Sequence, residues 1–255
     1  MVRFIHTYPY LMLSLTMLGV FLGALALTLR RLRSMALLSG MLAAPFALTS
    51  PLFVPSYWSP ARVAGTLTGI EDVVFSFAAG GLAWLASVWL FRHRVEFQLR
   101  PKRMWWQYAA GTACGLAVGH SSWRLGASHM AASAIACGAL TAVILWRRRE
   151  LWRLAVAGAL AYALVYVVVL KLWYVLVPSF GTQWNAGALW GPTVFGVPLD
   201  EVVWAVAFGL AWPAFAAYLL DARLRPGPSS AAGEPLFASS HDRLSRRPSS
   251  LLPRP

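Results

Sequence analysis

Seven apolar runs separated by short bursts of arginine constrain this chain more than any other feature. They lie at roughly Tyr8–Leu29, Ser34–Phe53, Val73–Phe91, Met104–Val118, Ser128–Trp146, Leu151–Val177 and Val202–Leu220. A helix that crosses the hydrocarbon core of a bilayer needs about 20 mostly apolar residues. The fourth run is the shortest, and Pro45 predicts a kink inside the second. Charged residues make up only 12% of the chain, against about 25% in a soluble domain. The net charge of +13 comes in short bursts of Lys and Arg between long apolar runs, whereas a nucleic-acid-binding protein clusters it on one face of a soluble fold, so nucleic acid is not an expected partner. The expectation is an all-α integral membrane protein, a bundle of seven transmembrane helices surrounded by membrane lipids.

The arginines set the topology. Arg30, Arg31 and Arg33 follow the first run; Arg92, Arg94, Arg100, Lys102 and Arg103 follow the third; Arg147, Arg148, Arg149 and Arg153 join the fifth and sixth. The other side carries only Arg3, Arg62 and Arg124. Cytoplasmic loops hold the excess of Lys and Arg, so the N-terminus is expected outside and the C-terminus in the cytoplasm, in the cell (inner) membrane. The first run is too long for a signal peptide, and its arginines follow it. Beyond Arg223 the chain is rich in Pro, Ser and Arg and reads as a disordered basic tail. Cys114 and Cys137 lie inside apolar runs and read as small buried hydrophobes.

Four of the nine acidic residues form two adjacent pairs, Glu71-Asp72 and Asp200-Glu201, each opening a helix that enters from the outer side. Their neighbourhoods match: a Trp (Trp58, Trp184), then about a dozen residues later Gly, an aliphatic residue, the acid pair, Val-Val and an aromatic (Phe75, Trp204). Ala78, Ala79, Gly80 and Gly81 follow the first pair and Gly209 the second. The pattern predicts two parallel three-helix repeats, residues 1–103 and 127–221, joined by a connector helix over 104–126 and followed by the tail, 222–255.

Each pair taken singly is explained by helix capping, because acids in a first turn oppose the dipole and accept from free N–H groups. Two adjacent carboxylates, however, repel each other where one would serve. Ionisable groups inside a membrane bundle mark function. A carboxyl beside another carboxylate in an apolar site stays protonated near neutral pH and suits acid catalysis. Trp58, Phe75, Trp184, Trp190 and Trp204 surround the pairs and are candidate substrate-binding residues, since aromatic faces stabilise cations. For each of them singly, anchoring at the membrane interface is the competing account. Arg62 pairs with one of these acids or faces water, with water slightly favoured.

The stretch Gly196 to Trp204, G-V-P-L-D-E-V-V-W, resembles the Pro-x-(Glu/Asp)-Glu motif of the membrane-embedded lycopene β-cyclases, heterodimeric in bacteria and fused in other bacterial, archaeal and fungal forms. The segment from Tyr57-Trp58-Ser59-Pro60 to Glu71-Asp72 resembles the matching region of that family's other half. The resemblance implies redox-neutral cyclisation of the linear ψ ends of an apolar polyene into β rings, with Asp200, Glu201, Glu71 and Asp72 as the catalytic carboxyls. The chain departs from the pattern twice: the first motif lacks its Pro and one residue before the acids, and Asp200 stands where Glu is usual.

Three other readings compete. An opsin needs a Schiff-base lysine in its last helix, which has none, and Lys171 lies near the outer end of the sixth. A metal-dependent hydrolase built on His120 and His129 lacks both HExxH and two His one turn apart, so no metal is expected. A non-catalytic carotenoid- or lipid-binding protein, or a proton-coupled transporter, fits the same duplicated scaffold. The sequence leaves cofactor and oligomeric state open.

Overall fold

The computed structural model describes residues 2–225, essentially all of one compact unit, Met1–Leu224. Apart from residues 222–225, the basic tail lies outside the described residues. Eight α-helices follow in order: α1 (Val2–Thr7), α2 (Pro9–Ala26), α3 (Arg30–Ala43), α4 (Ile70–Trp89), α5 (Pro101–Arg124), α6 (His129–Arg147), α7 (Trp152–Leu176) and α8 (Leu199–Leu219). Four two-residue strands accompany them: β1 (Val95–Glu96), β2 (Thr193–Val194), β3 (Val197–Pro198) and β4 (Arg223–Leu224).

Local chemistry explains the helix ends. Pro9 and Pro101 open α2 and α5 at a position where the missing N–H costs nothing. Ser128 caps α6 by accepting from the Ala131 N–H. The kink expected at Pro45 is a change of helix type, with α3 continuing from Ala44 to Leu52 as a 3₁₀ helix. The β2–β3 hairpin turns through Phe195 (φ 53°) and Gly196 (φ 79°), the pair of positive φ angles that a tight two-residue turn demands. It delivers the chain directly into α8 and its acid pair.

Among the described residues, six helical segments are long and apolar enough to cross a membrane: Pro9–Ala26, Arg30–Leu52, Ile70–Trp89, His129–Arg147, Arg149–Leu176 and Leu199–Leu219. A helix does occupy the place of the fourth expected span. This is α5, but with Lys102, Arg103, Gln107, Thr112, His120 and Arg124 along it it is less apolar than the six. On α7, Leu160, Leu164, Val168 and Leu172 form an exposed row at helical spacing, a surface suited to lipid and costly in water.

Helices α4 and α8 are central. α4 packs on α2 and α3, α8 packs on α6 and α7, and α4 also meets α7 and α8. Small residues permit the close approaches. A Cβ on Gly80 would come within 2.2 Å of the Ala43 Cβ, and one on Gly209 within 2.8 Å of the Gly158 carbonyl. At the end carrying the acids, Trp58 and Trp184 form an antiparallel bridge. It is closed by Ser59 N–H to Gln183 O at 2.7 Å and Asn185 N–H to Tyr57 O at 2.9 Å. At the opposite end, β1 and β4 pair antiparallel, Val95 facing Leu224 and Glu96 facing Arg223. The tail read from residue 222 therefore begins with residues that pair within the bundle. Cys114 is exposed and Cys137 half-buried, because α5 and α6 each bury only one face, so neither is the buried hydrophobe expected.

Candidate active site

A cavity of about 640 Å³ opens among the helices at the acid end and runs down α8. Glu201, Trp204, Phe208, Ala211, Trp212 and Phe215 all line it, and the first and last are fourteen helical steps apart, or about 21 Å at 1.5 Å per residue. The rest of the wall comes from α2, the 3₁₀ segment, α4, α5, α6 and α7, and from the loops that carry Tyr57, Trp58 and Trp184. Of the four acids, Asp72 and Glu201 line the cavity, whereas Glu71 and Asp200 do not.

All four carboxyls are buried, and each is held differently. Asp72 Oδ2 caps α4 by accepting the Gly69 N–H at 2.7 Å, so the capping account holds for that oxygen. Its Oδ1 accepts from the Tyr10 hydroxyl, the Ser50 hydroxyl and Arg62 Nη2, each at 3.0 Å. Arg62 therefore does not face water. Its side chain is only 2% exposed, paired with Asp72, and held further by Ser50 Oγ and the Thr66 carbonyl. A buried guanidinium needs a carboxylate partner, and the loop before α4 brings the two together.

Glu201 sits in an aromatic cage. Its Oε1 accepts from the Tyr57 hydroxyl and the Trp184 indole N–H, both at 2.9 Å, and its Oε2 contacts the Tyr166 hydroxyl at 2.6 Å. Among the described residues no cation forms an ion pair with it. Burial, and after it the neighbouring Glu201 carboxyl, push the Tyr57 hydroxyl far above its ordinary value, so it remains a donor. The two acids that do not line the cavity, Glu71 and Asp200, tie loops to helix starts by accepting the Val63 N–H at 2.7 Å and the Trp190 N–H at 3.1 Å. Glu71 Oε2 and Asp200 Oδ1 have no hydrogen-bond partner among the described residues.

Four of the five aromatic candidates, Trp58, Phe75, Trp184 and Trp204, line the cavity. Trp190 does not; its indole donates to Ser128 Oγ instead. The rings form a continuous lining. Phase along α8 stacks Trp204 on Phe208 at 5.2 Å and Phe208 on Trp212 at 5.9 Å. Phe75 of α4 faces Trp204 across the cavity at 6.1 Å, and Tyr10 meets Trp58 edge-on at 4.4 Å. Tyr10, Tyr57, Tyr166, Phe208 and Trp212 were not among the sequence candidates. The i, i+4, i+8 spacing of Trp204, Phe208 and Trp212 was a readable signal for that wall. Nothing local marked the tyrosines as partners of carboxyls 62, 144 and 35 positions away.

The site brings one ion-paired carboxylate and one carboxyl without a cation into a single apolar, aromatic cavity. Such a site can protonate an apolar substrate and hold the resulting cation. Among the described residues no three His, Cys, Asp or Glu side chains gather as a metal-ligand set. Residues 128–219, from the cap of α6 to the end of α8, match the lycopene cyclase family. Among curated proteins and among solved structures, none matches the chain.

Proposed function

We propose that this member of the lycopene cyclase family, matched over residues 128–219, is a membrane-embedded isomerase that closes the linear ψ ends of a polyene into β rings. The observation that carries the reading is that Asp72 and Glu201, from different halves of the chain, share one aromatic-walled cavity. A carboxyl adds a proton to the terminal double bond. The next double bond closes on the tertiary cation, and loss of a ring proton leaves the ring double bond, so no electrons are gained or lost. The aromatic faces stabilise the cation, and the slot along α8 suits the rest of a long, apolar chain. No cofactor is assigned.

The same reading takes the chain as two three-helix halves around an approximate two-fold axis, with α5 as the connecting seventh span, the acid end outside and the arginine end in the cytoplasm. A constant offset of 129 residues supports the duplication, since it relates Asp72 to Glu201, Phe75 to Trp204, Gly80 to Gly209 and Val95 to Leu224. Phe75 touches Trp204, and Val95 pairs with Leu224. Contacts between equivalent positions are what a two-fold axis generates.

The test is expression in a bacterium that accumulates lycopene, with Glu201→Gln alongside and pigments separated by chromatography. Monocyclic or bicyclic carotene from the wild type, absent in the variant, is expected. Unchanged lycopene with the protein in the membrane would overturn the reading and favour a polyene-binding or transport role for the scaffold.

A further inference from the structure

The two acids that line the cavity occupy like positions, but their surroundings differ in charge. Asp72 faces a guanidinium that cannot lose its proton and accepts three further hydrogen bonds, from Tyr10, Ser50 and the Gly69 N–H. Glu201 faces Tyr57, Trp184 and Tyr166 and, among the described residues, pairs with no cation. A buried carboxylate without a cation is far costlier than one that is paired, and such a group takes up a proton instead. The geometry leaves room for that proton. Trp184 can only donate, which fixes Oε1 as an acceptor, whereas the single partner of Oε2 among the described residues is a tyrosine hydroxyl able to donate or accept.

We propose that Arg62 divides the labour between the two acids. By pairing with Asp72 it fixes that residue as a standing negative charge facing the substrate cation, and it leaves Glu201 to carry and deliver the proton. Arg62 does not line the cavity and acts through Asp72, as a positioning residue. In the cyclisation, on which the cationic part of this inference rests, the proton leaves Glu201 Oε2 and the electrons of the terminal double bond form the new C–H bond. The ring C–C bond forms from the next double bond. The ring proton then returns to the Glu201 carboxylate while its electron pair becomes the ring double bond. Asp72 keeps its charge throughout.

Infrared spectroscopy of the purified full-length protein tests the division without any substrate. The wild type is expected to show a carbonyl band of a protonated carboxyl group that is lost in Glu201→Gln and retained in the double variant Arg62→Gln/Asp72→Asn. Arg62→Gln alone is expected to add a second such band, which the double variant removes. In the lycopene assay, Arg62→Gln should lower cyclised product at least tenfold. The double variant, although folded and melting near the wild type, should not recover it. Absence of a Glu201-dependent band in the wild type would overturn the proposal. So would recovery of activity in the double variant, because a merely structural ion pair is replaceable by two neutral amides. The expected bands together with unchanged lycopene in the wild type would uphold the division of charge and overturn only the cyclase reading.

Discussion

The Tyr57 hydroxyl donates to Glu201 Oε1 at 2.9 Å, reaching from the loop before α4 to the acid that opens α8. The same loop sends Arg62 to Asp72. One irregular segment thus sets the environment of both cavity acids, and it is pinned at Trp58 to Trp184 in the segment between α7 and α8. Loops held on a rigid scaffold commonly carry such work.

Removal of that hydroxyl in Tyr57→Phe leaves Oε1 with Trp184 alone. Loss of one hydrogen bond to a buried carboxyl is worth about 1–2 kcal/mol, so the initial rate of ring formation in isolated membranes should fall about tenfold while the ring still fills its site. An unchanged rate would remove Tyr57 from the acid's machinery.

The aromatic wall can be tested at Trp204. Trp204→Leu keeps an apolar side chain but removes the face presented to a cation. A desolvated cation–π contact is worth about 2 kcal/mol, a drop of about thirtyfold in turnover. Trp146→Leu, at a position 83% exposed and away from the cavity, should turn over like the wild type. Equal turnover in the two variants would argue that the wall shapes the slot and does not stabilise charge.

Helix approach at the two central helices predicts a stability contrast. Gly80→Ala and Gly209→Ala insert a methyl group into space already held by Ala43 and by the Gly158 backbone, an overpacking cost of about 1–3 kcal/mol. Gly138→Ala, with nothing within 4 Å of the added Cβ, should melt at or above the wild-type temperature, since Ala favours helix over Gly. Thermal melts in one detergent check all three.

At the arginine end, Asp221 accepts from Arg148 at 2.8 Å. Burial by itself would raise the Asp221 carboxyl, but its hydrogen bond and ion pair with Arg148 outweigh this and hold it below its ordinary value. A depressed folded-state value means that the stabilisation is fully present above the ordinary carboxylate range and is lost as pH falls through the lowered value. Asp221 has φ 45°, and Asn tolerates that backbone, so Asp221→Asn removes charge alone. It should cost about 2 kcal/mol near neutral pH, between the surface and buried ranges for ion pairs. The difference from wild type in thermal melts should shrink below about pH 4. A difference independent of pH would mean that the pair does not stabilise the fold through charge.

Much of the scaffold was legible because apolar run length is a local property. Six of the seven expected runs coincide with helices long and apolar enough to span, and α5 fell short because its polar residues are distributed along it. The acid pairs were legible as helix starts, since Ile70 and Leu199 open α4 and α8. The division among the four acids was not. Which carboxyl of an adjacent pair turns inward depends on helix phase and on the loop that caps it, and Glu71 and Asp200 turn toward loop N–H groups at Val63 and Trp190.

The sequence by itself determined a helical chain with two matching acid-led helices, because apolar length and motif spacing are written residue by residue. Only the tertiary structure decided that Arg62 is buried against Asp72, that Glu201 sits among Tyr57, Trp184 and Tyr166, and that both acids share one cavity. The charge state of a carboxyl depends on what lies within a few ångströms of it in space. Here those neighbours come from segments up to 144 positions away.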